Sequence, residues 1–88
     1  MALFAVISDN SMVKIYTTPT CVYCKMTKQF LQGHQLPYEE HNVAEDEKAR
    51  EEMIAKSHQL GAPVIDVNGE IFVGFDPKGL ARALHIAP

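Results

Sequence analysis

The dipeptide Asn68-Gly69 constrains the fold of this chain more than any other local feature. It separates two short runs rich in β-branched and aromatic residues, Val64–Val67 and Glu70–Val73. Asn-Gly accepts the positive φ angles of a type I′ turn, whose twist matches that of two paired strands. The sequence therefore predicts an antiparallel hairpin over residues 64–73.

Strands and helices alternate before this hairpin. Val13–Thr17 has strand composition and ends before Pro19, which cannot continue a ladder. Apolar residues at four-residue spacing predict a helix over 22–32, with Gly33 as its stop, and residues 37–43 form a weaker, polar strand candidate.

Two more helices complete the pattern. Residues 44–57 are rich in helix formers and have an acidic first turn, and a last helix should start near Pro77 and bury Leu80, Ala83 and Leu84. The order is βαβ followed by ββα. Because a βαβ crossover pairs its strands in parallel and a hairpin pairs them antiparallel, we expect an α/β fold with a mixed four-stranded sheet flanked by three helices.

Length and charge restrict the remaining possibilities. The 88 residues suffice for one core, which we assign to a domain at 12–88, with residues 1–11 as an N-terminal extension or an edge strand. A net charge of −3 without a basic stripe argues against nucleic-acid binding. With neither a signal-peptide pattern nor a membrane-length apolar run, we expect a cytoplasmic protein, and a monomer is the default.

The two cysteines, Cys21 and Cys24, lie at the junction of the first strand and the first helix. A bridge closing so short a loop stabilises little, so the pair is better explained by reactivity than by architecture. The helix N-terminus favours a thiolate, which makes Cys21 the expected nucleophile, and Cys24, one turn further, the resolving thiol. A zinc site is not expected, because a second cysteine pair is missing and the histidines are too widely spaced.

The segment V-K-I-Y-T-T-P-T-C-V-Y-C, residues 13–24, resembles the first strand and active site of glutaredoxins and of the glutaredoxin-like redoxins that reduce ribonucleotide reductase. Ala62-Pro63-Val64, Asn68-Gly69 and Gly74-Phe75-Asp76 keep the register of that family. The resemblance covers residues 12–86. It implies a thioredoxin-like fold and a thiol-disulfide oxidoreductase that uses the Cys21/Cys24 dithiol.

The same resemblance implies a binding groove beside the cysteines. Pro63 should be cis and pack against them, and the backbone of Ala62 should pair with a substrate peptide or with glutathione. Tyr23 would line this groove or, alternatively, face solvent. The family's glycine-containing loop corresponds to Gly74, Phe75 and Asp76. The Asp76 carboxylate has two candidate roles, holding the amino group of glutathione and capping the last helix.

Departures from the family pattern concern the reductant. Thr18 and Gln59 stand where glutaredoxins often have cations that hold glutathione carboxylates, and Val73 replaces a glycine. Val22 fits the ribonucleotide-reductase-coupled redoxins, whereas Asp76 does not. The upstream donor stays open between glutathione, as a co-substrate, and a thioredoxin-reductase-like flavoenzyme. Downstream we expect a disulfide-containing protein such as ribonucleotide reductase, and no tightly bound cofactor.

Two alternatives belong to other functional classes. A non-catalytic binding module could use the groove without turnover. An iron-sulfur carrier could bridge two protomers through Cys21 and glutathione. The intact cysteine pair argues against the former, and the missing cations at Thr18 and Gln59 argue against the latter.

Overall fold

The fold was analysed in a computed structural model that describes residues 13–86. The expected extension or edge strand at 1–11 lies outside the described residues. No helix within 13–86 is both long enough and apolar enough to cross a membrane. The elements, in chain order, are β1 Val13–Thr17, α1 Val22–Gly33, β2 Glu39–Asn42, α2 Glu47–Ser57, β3 Val64–Val67, β4 Glu70–Val73 and α3 Pro77–Leu84.

The four strands form one mixed sheet in the order β2-β1-β3-β4. β1 pairs with β2 in parallel, and the other two pairings are antiparallel. The predicted thioredoxin-like architecture is thereby confirmed. In the hairpin, Asn68 and Gly69 have φ angles of 53° and 97°, as the predicted turn requires, and the Gly69 N–H donates to Asp66 Oδ1 over 2.7 Å.

The sheet has helices on both faces. On one face, α1 and α3 cover an apolar cluster formed by Val13, Ile15, Leu31, Ile65, Val67, Phe72 and Leu80. Of the predicted core positions of α3, Leu80 is fully buried, whereas Ala83 and Leu84 are half-buried against this cluster. On the other face, α2 contributes Ala49 and Met53 to a smaller cluster with Tyr16, Val43 and Val64.

A polar network joins α2 to the sheet. The buried Tyr16 donates from Oη to Glu52 Oε1 over 2.6 Å and accepts from Lys56 Nζ over 2.9 Å. Lys56 also donates to Asp66 Oδ2 over 2.6 Å. α2 also buries Ala49 and Met53 and packs Ile54 partly against the sheet, so this network adds polar contacts to an apolar attachment.

Several predicted boundaries differ from the structure. α2 begins at Glu47 rather than at residue 44, since Asn42 Oδ1 accepts from the Ala44 N–H in a turn and Asp46 then caps the helix by accepting from the Ala49 N–H. β2 is shorter than the predicted 37–43. α1 continues through Gly33 and is capped by His34.

Candidate active site

Three chain segments meet at one end of the sheet. The register pairs Tyr16 with Val64 and Val64 with Val73, so the end of β1, the start of β3 and the end of β4 are adjacent. The cysteines follow β1, Pro63 precedes β3, and Gly74 follows β4. Antiparallel pairing of β3 with both neighbours thus brings the segments predicted to form the site to one edge.

Cys21 and Cys24 form a disulfide with their Cα atoms 5.2 Å apart. Cys21 is the N-cap of α1, with an extended backbone, and its Sγ accepts from the Cys24 N–H over 3.0 Å. Cys21 is half-exposed, whereas Cys24 is 1% exposed. The outer sulfur is therefore open to an incoming disulfide, and the inner one is shielded from solvent.

The backbone around Cys21 is held in place from both sides. Its N–H donates to the Thr18 carbonyl over 3.3 Å, and its carbonyl accepts from the Lys25 N–H over 3.3 Å. The unpaired N–H groups of the first helical turn and the helix dipole point toward the Cys21 sulfur. This environment favours a thiolate in the reduced protein, as a nucleophilic thiol requires.

The buried face of α1 differs from the stripe used to predict this helix. Cys24, Thr27 and Leu31 face the core. Val22 is 66% exposed, and Met26 is also exposed. The third apolar residue of the four-residue spacing, Phe30, is half-buried against the core cluster, so the spacing indicates the helix correctly but only part of it marks the inner face.

Pro63 lies next to the loop that follows β4. The Ala62–Pro63 peptide is cis, as the sequence resemblance implies, and Pro63 is buried while Ala62 is half-buried. The Pro63 carbonyl accepts from the Gly74 N–H over 2.9 Å, and Gly74 has a φ of 83°, a conformation that glycine adopts readily. The pairing of Ala62 with a ligand stays a prediction.

Phe75 and Asp76 follow Gly74 in the loop before α3. Phe75 packs edge-to-face against Phe30 of α1, with ring centroids 6.1 Å apart. Asp76 is exposed and caps α3, since its Oδ1 accepts from the Gly79 N–H over 3.0 Å. The structure shows the capping role of Asp76, and its role toward glutathione stays a prediction.

Exposed apolar side chains flank these three segments. Tyr23 is 60% exposed, and Val73 and Leu60 are also largely exposed. Leu60 was not among the predicted site residues, although its place three residues before Pro63 in a polar loop is a signal for it. Thr18 and Gln59, the positions without the family's cations, are half-buried and exposed, respectively.

Sequence reasoning also missed a polar contact to α1. Glu40 Oε2 accepts from Thr17 Oγ1 over 2.8 Å and from Lys28 Nζ over 3.0 Å. Partial burial opposes the charge on Glu40, but these hydrogen bonds outweigh it and lower the pKa of the carboxyl. The alternation of side chains along β1 and β2 places Thr17 and Glu40 on the α1 face, a signal that could have identified the contact. Within residues 13–86, no cluster of three or more His, Cys, Asp or Glu side chains is arranged to hold a metal ion.

Comparisons with known proteins agree with this geometry. The chain matches the family model described as Glutaredoxin over residues 13–73. It is 51% identical over 74 residues to an uncharacterized glutaredoxin-like 8.6 kDa protein in the rubredoxin operon of Clostridium pasteurianum, covering 84% of this chain and 99% of the relative. It is 35% identical over 71 residues to the glutaredoxin-like protein NrdH of Lactococcus lactis subsp. lactis, covering 81% and 97%.

A solved structure shows the same relationship. The glutaredoxin-like protein NrdH-redoxin from Escherichia coli superposes with a TM-score of 0.76 at 31% identity, covering 88% of this chain and 99% of that one. The residues matched by the family model include the cysteine pair and Pro63. This chain therefore belongs to the glutaredoxin family of the thioredoxin superfamily.

Proposed function

We propose that this protein reduces disulfides of other proteins through its Cys21/Cys24 dithiol. One observation carries the proposal: a half-exposed Cys21 sulfur caps α1 and is bonded to the buried sulfur of Cys24. A thiol-disulfide redox function is already supported by the family and by the cysteine pair. The substrate class and the electron donor are the proposed additions.

The exchange follows from the positions of the two sulfurs. The Cys21 thiolate attacks one sulfur of the substrate disulfide, and the other sulfur leaves as a thiolate that takes a proton from water. Cys24 then loses its proton and attacks Cys21, which releases the second substrate thiol and forms the Cys21–Cys24 disulfide. Two electrons pass to the substrate, and a donor must return two electrons to the protein.

An extended substrate segment fits the surface beside Cys21. Tyr23 lies between the cysteines, Leu60 and Ala62 lie on the loop that precedes β3, and Val73 directly precedes Gly74; the Tyr23, Leu60 and Val73 side chains are exposed. Exposed apolar surface of this kind favours a protein partner over a small charged one. A substrate backbone would pair with Ala62 while its side chains contact this surface. Ribonucleotide reductase is the candidate that the NrdH relatives suggest.

For the electron donor we favour a thioredoxin-reductase-like flavoenzyme. Neutral Thr18 and Gln59 give glutathione carboxylates no cationic partner, and the Asp76 carboxylate already accepts a hydrogen bond from α3. The structure of the Escherichia coli relative is described in terms of a thioredoxin-like activity profile. Glutathione is the competing donor.

A single-turnover experiment tests the exchange itself. Pre-reduced protein is mixed with insulin as a model protein disulfide, and thiols are alkylated at intervals and counted by mass spectrometry. We expect two protein thiols to disappear as two insulin thiols appear, and Cys24→Ser to accumulate a mixed disulfide at Cys21. Reaction of Cys21→Ser at the wild-type rate would contradict the proposal, as would inert wild-type protein.

The donor is tested by coupling the same reaction to NADPH oxidation. One assay contains thioredoxin reductase alone, and the other contains glutathione and glutathione reductase. Faster turnover with thioredoxin reductase is expected, since the glutathione-binding cations are missing. Faster turnover with glutathione would overturn the donor assignment and leave the dithiol exchange intact.

A further inference from the structure

A salt bridge lies one helical turn from the buried cysteine. Residues four apart on an α-helix are neighbours on one face, so Lys28 follows Cys24 along the side of α1 nearest the sheet. Lys28 Nζ donates to Glu40 Oε2 over 3.0 Å, and the side chains are 28% and 38% exposed. The same oxygen accepts from the buried hydroxyl of Thr17, so Glu40 joins α1 to the ends of two strands.

The other described ion pairs lie on the opposite face of the sheet, which α2 covers. Lys56 and Asp66 form their ion pair on the α2 face, away from α1. Glu39, next to Glu40 on β2, contacts His41, whose ring stacks on Tyr16 on that same α2 face. Among the described ion pairs, the one between Lys28 and Glu40 is therefore the pair on the side of the sheet that carries the redox helix.

We propose that Glu40 is a positioning residue that sets the redox equilibrium of the cysteines by neutralising Lys28. This inference rests on the proposed function, because it assumes that Cys21 and Cys24 cycle between dithiol and disulfide. The positive charge of Lys28 and the negative charge of Glu40 lie 3.0 Å apart, so each reduces the electrostatic effect of the other on the cysteines. Loss of either partner leaves one uncancelled charge beside the first turns of α1.

The direction of each effect follows from the charge of the reduced state. Oxidised glutathione and the dithiol react to give the Cys21–Cys24 disulfide and two molecules of reduced glutathione, with two electrons passing to glutathione. The dithiol carries thiolate character, whereas the disulfide is uncharged. An uncancelled Lys28 stabilises the thiolate and so the reduced protein, and an uncancelled Glu40 destabilises it.

The test is a double-mutant cycle of Lys28 and Glu40, with each variant equilibrated in glutathione redox buffers at neutral pH. The ratio of oxidised to reduced protein is measured after acid quenching and alkylation. We expect Glu40→Gln to lower the equilibrium constant for oxidation roughly threefold and Lys28→Gln to raise it by a similar factor, with the double variant near wild type. A threefold change corresponds to about 14 mV for this two-electron couple.

The opposite signs separate an electrostatic role from a purely structural one. If the pair only held α1 in place, both single variants would loosen the helix and move the constant in the same direction. Two variants serve as controls. Glu39→Gln removes the neighbouring charge on the α2 face and should leave the constant unchanged, and Glu40→Asp keeps the charge and should restore most of the wild-type value.

Equal shifts in both single variants, or no shift in either, would overturn the inference. These outcomes differ from failure of the proposed function, in which reduced wild-type protein would not reduce the disulfides of insulin. Circular dichroism of each variant confirms that the fold is retained, and the isosteric glutamine can still accept the hydrogen bond of Thr17.

Discussion

At Gly79, α3 lies close against Phe72 of the sheet and against the Asp76 side chain that caps the helix. A Cβ atom at this position would lie 2.9 Å from Phe72 Cε1 and 2.9 Å from Asp76 Cγ, closer than carbon atoms pack. Phe72 is buried in the apolar cluster, and Asp76 is held by its hydrogen bond to the Gly79 N–H. The glycine is needed here for space, although it lies inside a helix.

We expect Gly79→Ala to destabilise the protein despite the better helix propensity of alanine. Propensity favours alanine by about 1 kcal/mol, whereas overpacking costs about 1–3 kcal/mol. A net loss lowers Tm by roughly 4–8 °C per kcal/mol in a domain of this size. Thermal unfolding of oxidised protein measures the effect. Gly33→Ala, where an added Cβ meets nothing within 4 Å, is the matched control, and a Tm as low as that of Gly79→Ala would refute the packing argument.

Some residues of the candidate site could be predicted from the sequence, and others could not. The cysteine pair and the possible cap at Asp76 follow from local motifs, whereas the cis form of Pro63 was implied by the family resemblance; the structure shows the disulfide, the cap and the cis bond. Glu40 and Leu60 escaped prediction because their roles depend on contacts or exposure set by the sheet. A polar residue on a weakly patterned strand does not show which helix it will contact.

At the level of elements, α2 differs from the other helices in how it is attached. Its Glu52 and Lys56 side chains hydrogen-bond to Tyr16 and Asp66 of the sheet, beside the apolar packing of Ala49, Met53 and Ile54. Removal of one partner from a part-buried ion pair destabilises a protein strongly, because the remaining charge is left without its counter-charge. The attachment of α2 should therefore be more sensitive to charge than to side-chain volume.

Asp66→Asn tests this attachment. Asparagine can still accept from the Gly69 N–H, so the change removes mainly the charge that faces Lys56. We expect a loss of about 1–3 kcal/mol in the free energy of unfolding, measured with urea on oxidised protein. Glu70→Gln removes an exposed charge from the same hairpin and should cost less than about 0.5 kcal/mol. Equal losses in both variants would show that the network does not hold α2.

Element types were easier to predict than the faces they bury. The Asn-Gly turn and the strand compositions determine the hairpin locally, and β3 and β4 lie where predicted. In α1, the helical period is visible, but Val22 and Met26 are exposed because the core side belongs to Cys24, Thr27 and Leu31. A surface that serves binding carries apolar residues too, so hydrophobic spacing alone does not identify the inner face.

For the whole molecule, the charged contacts define a range of pH in which the fold is most stable. Tyr16 hydrogen-bonding lowers the pKa of Glu52, and hydrogen bonds from Lys56 and Gly69 outweigh burial and lower the pKa of Asp66. The pKa of Glu40 is also lowered, because burial is outweighed by its hydrogen bonds to Thr17 and Lys28. Burial and the contact with Glu52 raise the pKa of Tyr16, and the bonds to Asp66 and Tyr16 outweigh burial and raise the pKa of Lys56.

The sign of each shift gives the expected pH profile. Carboxyls with a lowered pKa stabilise the fold above the unfolded value of about 4, and this stability is lost as pH falls through their folded pKa values. Tyr16 and Lys56, whose pKa values are raised, contribute below unfolded values of about 10, and their contribution is lost as pH rises through the folded values. We expect the urea midpoint to be flat between about pH 5 and 9 and to fall on both sides.

Oxidised protein is the form to use for this profile, because disulfide-bonded cysteines do not titrate. The fall of the urea midpoint at alkaline pH should be smaller in Lys56→Met, because this variant lacks one of the two groups whose pKa is raised. A midpoint that still rises between about pH 9 and 11 would contradict the assigned directions.

The mixed character of the sheet was predictable, because a βαβ unit pairs its strands in parallel and a hairpin pairs them antiparallel, whereas the strand order β2-β1-β3-β4 was not predicted. The convergence of Cys21, Pro63 and Gly74 on one edge follows directly from that order. Helix starts were less predictable, since Asn42 and Asp46 compete for the role of first cap and only their side-chain hydrogen bonds decide where α2 begins.

The sulfur of Cys21, the proposed nucleophile, is also the cap of α1. An inactive variant at this position must therefore replace a helix cap as well as the proposed nucleophile. Serine keeps an acceptor at this position and is among the preferred caps, whereas alanine would remove the cap and fray the turn that presents Cys24. For baits or biosensors built from this protein, the choice between serine and alanine therefore decides whether the variant loses only its reactive sulfur or also loses the cap of α1.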